Sequence, residues 1–84
     1  MATSNSVQIE AMEYTPKTIE IAVGDVVVWT NDDGFAHTVT ADDGTFDSGD
    51  IEGGQTFAFT FNEAGTFAYH CDIHPDMVGR VTVK

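Results

Sequence analysis

A single cysteine cannot form a disulfide within its own chain, and this sequence of 84 residues has only Cys71. A chain this short buries only roughly 60–65% of the surface its unfolded form exposes, so it needs dense packing, a metal, or both. Positive charge is also scarce. Lys17, Arg80 and Lys84 stand against 14 acidic residues, for a formal net charge of -11. Such a surface is a poor partner for nucleic acid or anionic membrane. It suits a cationic protein partner, or serves solubility in a saline habitat. No apolar run approaches the roughly 20 residues of a membrane helix, so membrane insertion is not expected. No basic start leads into an apolar stretch, so the chain shows no signal segment. Residues 1–5 read as a polar leader and residues 6–84 as a single domain. The hydrophobic fraction of 42%, with six Phe and one Trp, is that of a globular chain.

A helical period is missing too, and alternation takes its place. Val7, Ile9 and Ala11 fall at every second position, as do Ile19, Ile21 and Val23. Phe57, Phe59 and Phe61 repeat the pattern, then Phe67, Tyr69 and Cys71, then Val81 and Val83. Period 2 means strands with one buried face. "DVVVWT" (Asp25–Thr30) is apolar on both faces and reads as a central strand. Turn residues punctuate these runs at Tyr14-Thr15-Pro16, Gly24-Asp25, Asp32-Asp33-Gly34, Asp43-Gly44, Gly53-Gly54 and Ala64-Gly65. The pattern predicts an all-β sandwich or barrel of about seven strands. They fall near 6–12, 17–23, 25–31, 37–42, 55–61, 65–71 and 78–84. The acidic, glycine-rich segment 42–55 reads as a loop with a short edge strand around Thr45–Asp47.

The stretch "YHCDIHPDM" holds the one cysteine, two of the three histidines and one of the three methionines. Cys71, His74 and Met77 are spaced for a helix. However, the run before Cys71 alternates like a strand, and Pro75 breaks any helix after it. The three therefore sit on a tight loop leaving a strand end. His37 opens another apolar run after the 32–36 turn, and loops of a sandwich gather at one end, so it is the candidate fourth ligand. Taken singly, a lone Cys is usually a small core residue, a lone His surface or satisfied core, and a Met packing. Taken together they point to a metal. Zinc is the runner-up, because methionine is a poor zinc ligand and structural zinc sites use Cys and His. Thiolate and two imidazoles with a weak thioether match a blue-copper electron-transfer centre.

The segments "VGDVVVWTNDDGFAHTV", "FNEAGTFAYHC" and "HCDIHPDMVGRVTV" resemble the cupredoxins, the type 1 blue copper proteins, and the likeness covers nearly the whole chain. The short Cys–His–Met spacing looks like amicyanin-type members more than plastocyanin-type ones, and "TADDGTFDSGD" looks like halocyanin-type members. The resemblance implies a Greek-key β-sandwich with one copper ion at one end. His37, Cys71 and His74 would be equatorial ligands and Met77 the axial one. It implies a soluble carrier of single electrons between redox partner proteins, with copper binding and delivery in the periplasm as the alternative. No enzyme activity is implied. The carrier is expected as a monomer outside the cytoplasm (periplasm, lumen or archaeal cell exterior), with partners that have basic surfaces.

Around the ligands, Asn31 matches an Asn that ties loops beneath the site. Thr38 stands where many members have Asn, and its backbone N–H would donate to the Cys71 sulfur. Ile73 stands where several members carry Pro. Unlike proline it has an N–H, from which a second bond to the sulfur is expected. The electron-transfer surface would comprise Phe35, Ala36, His74 and Pro75, with Ile73 and Met12 nearby. His70 points to the opposite side of the strand from Cys71. It reads as an exposed histidine or as part of a second, lateral docking surface.

Overall fold

The computed structural model describes residues 4–84. Among these residues eight strands run in chain order: β1 Ser4–Glu10, β2 Glu13–Thr15, β3 Thr18–Ile21, β4 Val26–Asn31, β5 Thr40–Ala41, β6 Thr56–Thr60, β7 Gly65–His70 and β8 Val78–Val83. One sheet has the order β2-β1-β4-β6 and the other β3-β8-β7-β5. Pairing is parallel for β1 with β4 and for β3 with β8, and antiparallel elsewhere. The two sheets form the sandwich that the alternation predicts. "VVVWTN" becomes β4, flanked on both sides in its sheet. Val27, Trp29 and Asn31 on one face are buried, and Val26, Val28 and Thr30 on the other are half-buried.

The core is aromatic. Trp29 is fully buried, with its ring 5.5 Å from Tyr69 and 5.9 Å from Phe46. Phe46 comes from the 42–55 segment. That segment forms no edge strand at Thr45–Asp47. Instead, Asp47 makes an isolated bridge to Thr40 and Phe46 inserts into the core. Full burial of a side chain like Phe46 contributes roughly 1.5–3 kcal/mol, which is enough to pin an otherwise polar loop. The expected strand over 37–42 shrinks to Thr40–Ala41 for the same reason, since its neighbours pair with loop residues.

The count of eight strands, against about seven expected, arises at the start of the chain. β1 already pairs from Ser4 with Val26, so Ser4 and Asn5 of the expected leader belong to the sheet, while residues 1–3 of that leader lie outside the described residues. β1 ends at Glu10, and Glu10 pairs with Glu13 across a two-residue turn. Ala11 and Met12 form it with φ of 53° and 63°. Tyr14 and Thr15, read as a turn from sequence, lie in β2, and Thr15–Pro16 is a cis peptide. Ala11 is exposed rather than core, and Val23, beyond the end of β3, is 49% exposed.

Gly79 of β8 faces Tyr69 of β7, its register partner. A Cβ at position 79 would collide with the Tyr69 ring. That ring cannot swing away, because Trp29 and Tyr14 pack edge-on against it. Gly79→Ala should therefore destabilise the fold by about 1–3 kcal/mol, the usual cost of overpacking. Chemical denaturation would read this as a lower midpoint with an unchanged slope.

Candidate metal centre

Cys71 comes directly after the last residue of β7, and its side chain is fully buried at the end of the sandwich. His37 reaches the same place from the loop after β4. It is also fully buried, and its backbone is held in a two-way bridge with Ile51: N–H to O at 3.1 Å and O from N–H at 2.7 Å. His74 is half-buried on the loop beyond Cys71. The ligand atoms of these three side chains lie within 4.8 Å of one another. Cys71 Sγ is 3.7 Å from His37 Nδ1 and 3.8 Å from His74 Nδ1. Metal–nitrogen and metal–sulfur bonds of about 2.0–2.3 Å would place an ion between atoms about 3.5–3.8 Å apart. Both sulfur–nitrogen gaps therefore fit an ion held beside the sulfur.

Met77, the candidate fourth ligand, is buried at the far end of the loop. The loop is closed by its own backbone. Met77 N–H donates to His74 O at 2.9 Å, and Cys71 N–H donates to Met77 O at 3.1 Å. Of the nine residues that crowd sulfur and imidazole together in the sequence, Tyr69 and His70 end β7, and Cys71–Met77 form the turn that carries three of the four candidate donors. A soft thiol and thioether beside two imidazoles are donors suited to copper.

The surrounding bonds explain why the loops hold their places. Asn31 Nδ2 donates to Phe35 O at 2.9 Å and to Ile51 O at 2.7 Å, and Asn31 Oδ1 accepts from Asp33 N–H at 2.9 Å. Thr38 N–H donates to Cys71 Sγ at 3.3 Å. Thr38 Oγ1 accepts the Asp72 N–H at 2.8 Å, so a hydroxyl joins the two ligand loops. Tyr14 donates its O–H to Thr38 O at 2.5 Å. Burial and the nearby Cys71 push the Tyr14 phenol well above its ordinary range, so it stays a neutral donor.

Ile73 is placed differently from the sequence expectation. Among the described residues, Thr38 is the backbone donor to Cys71 Sγ, and Ile73 N–H makes no bond to it. Ile73 itself is 45% exposed.

A profile of the copper-binding proteins of the plastocyanin/azurin family matches residues 1–84. The chain belongs to this family. It is 36% identical over 83 residues to amicyanin of Paracoccus denitrificans, an alignment covering 93% of this chain and 63% of the relative, so the chain spans under two thirds of that protein's length. Among solved structures, a copper(I) form of an amicyanin variant superposes with a TM-score of 0.91 at 32% identity, over 96% of this chain and 82% of the other. A purple cupredoxin from Nitrosopumilus maritimus superposes at 0.87 and 34% identity, over 95% and 99%.

Two features of this cupredoxin were not foreseen from its sequence. Asp33 lies 2.7 Å from His37 Nε2. The "DDG" around it reads as turn chemistry, which conceals its second use. The other is a clamp on His70. This ring faces away from the metal centre, as expected, but it is held by two carboxylates, with Nδ1 2.5 Å from Asp42 and Nε2 2.9 Å from Asp72. The bond to Asp42 raises its pKa most and that to Asp72 adds to it, against the opposing effect of burial.

These contacts give two expected outcomes. Thr38→Val should keep the N–H to Sγ but strand the Asp72 N–H, costing about 1–3 kcal/mol in a thermal or denaturant melt. His70 should titrate above the ordinary 6.5 in an NMR series, and Asp42→Asn should bring it down. Because the folded value is raised, the clamp's contribution is complete below the unfolded pKa. It fades as pH rises through the folded value.

Proposed function

We propose that this chain is a one-electron carrier, with Cys71 Sγ, His37 Nδ1 and His74 Nδ1 as the principal copper ligands and Met77 as the weak fourth. One observation carries the reading: a fully buried thiol faces two imidazole nitrogens, and one of those rings reaches the surface. Copper bound there supplies a Cu(II)/Cu(I) couple. The chain's own residues do the rest. The His74–Met77 turn and the Thr38–Asp72 bond hold the donors in place, so little rearrangement accompanies a change of charge. The Thr38 N–H draws charge from the sulfur, which favours the reduced state. Burial of Cys71 and His37 excludes water. It also argues against copper delivery, which needs exchangeable ligands.

His74 is the electron exit in this reading. Its ring lies 5.7 Å from that of Phe35, and Phe35, Ile73 and Met12 are 50%, 45% and 37% exposed. With Ala36 and Pro75 they make an apolar contact surface suited to brief docking. The net charge of -11 favours partners with basic surfaces. In this reading the carrier acts as a monomer, and its likeness to amicyanin favours a place outside the cytoplasm. No substrate is transformed.

Adding Cu(II) to the protein should produce an intense visible charge-transfer band, Cys71→Ser should abolish it, and voltammetry should show a reversible one-electron wave. A colourless adduct of the unaltered protein would reject the reading, and a coloured protein with no reversible wave would reject the carrier role.

A further inference from the structure

Asp33 stands four residues before His37, and its side chain is only 11% exposed. Its carboxylate accepts three hydrogen bonds. Oδ2 takes His37 Nε2–H at 2.7 Å and Met12 N–H at 3.2 Å, and Oδ1 takes Ala11 N–H at 2.8 Å. The last two arise from the β1–β2 turn, where Ala11 and Met12 are both left-handed. Such turns normally use Asn-Gly, because each L-residue in this conformation costs roughly 1–2 kcal/mol. A carboxylate capping both N–H groups offsets that cost.

Asp33 is itself held firmly. Its N–H donates to Asn31 Oδ1 at 2.9 Å. Its carbonyl oxygen would lie 2.8 Å from any Cβ at position 53, where the residue is Gly53. Three N–H groups, from His37, Met12 and Ala11, thus converge on this carboxylate. An acceptor on the Nε2 side requires the His37 proton to sit there. Nδ1 is then left bare toward Cys71 Sγ at 3.7 Å.

We infer that Asp33 is a positioning residue of the metal centre: it fixes the ring and tautomer of His37, locks the strained Ala11–Met12 turn to that ligand, and by its charge lowers the reduction potential of the bound copper. The inference rests on the copper reading above. A carboxylate on the far nitrogen makes an imidazole a stronger donor, which stabilises the more highly charged ion. Such partners typically contribute roughly 10–100-fold in metal affinity.

The test compares Asp33→Asn with Asp32→Asn. Asp32 is exposed, so its replacement removes the same charge one residue away without touching His37. Asp33→Asn should keep the visible band and lower Cu(II) affinity about tenfold relative to Cu(I), a rise of about 59 mV in potential. Asp32→Asn should move the potential far less. Equal shifts in the two variants would overturn the inference. A second reading needs no variant. In NMR spectra of the copper(I) protein, the His37 Nε2–H proton should be strongly downfield and slow to exchange, and one exchanging as fast as a free imidazole would also overturn it. A protein that never colours with Cu(II) rejects the copper reading instead, so the two failures are distinguishable.

Discussion

Burying a thiol among hydrogen-bonding groups sets the terms for this end of the molecule. Cys71 Sγ has no exposed surface, so any negative charge it carries must be met by donors or a cation within the protein. Thr38 N–H supplies one donor at 3.3 Å. That requires the 37–39 segment to run straight past the sulfur, and the framework ensures it. His37 is bridged to Ile51, Val39 N–H donates to Ser48 Oγ at 2.8 Å, and the Asn31 side chain grips Phe35 and Ile51. The sulfur is thus served by two loops, one from each sheet.

The same logic extends outward through bonds that join distant parts of the chain. Tyr14, in the short second strand, holds the Thr38 carbonyl while packing against Tyr69, whose ring centroid lies 4.7 Å away. Tyr69 sits two residues before Cys71 and also meets Trp29, the centre of the aromatic core. Packing in the core and geometry at the metal centre are therefore one problem. Interiors this densely packed transmit displacement rather than absorb it.

The strand leading to Cys71 separates two chemical environments. Inward lie sulfur, imidazole and a buried thioether. Outward, the next residue back, His70, is clamped between Asp42 and Asp72 on an acidic face. Alternation along a strand puts adjacent residues on opposite faces, so neighbouring positions serve unrelated roles. Asp72 contributes to both sides: its carboxylate meets His70 and its N–H meets Thr38.

Three of the four proposed donors stood out in the sequence because they are close together along the chain. Cys71, His74 and Met77 lie within seven residues, and their types alone narrow the metal. The sandwich was legible because the period of 2 repeats in most strands. The β1–β2 hairpin was not, because Ala-Met gives no turn signal and its stabilising carboxylate lies 21 and 22 residues away. The role of Phe46 was equally hidden, since one aromatic in an acidic loop does not reveal whether it folds inward. Ile73 shows the converse: its N–H was evident in the sequence, but among the described residues the backbone donor to the sulfur is Thr38. Residue type and spacing alone thus determined the fold class and the donor atoms. Only the tertiary structure decided which hydrogen bonds hold those atoms in place, because they depend on how separate loops meet in space.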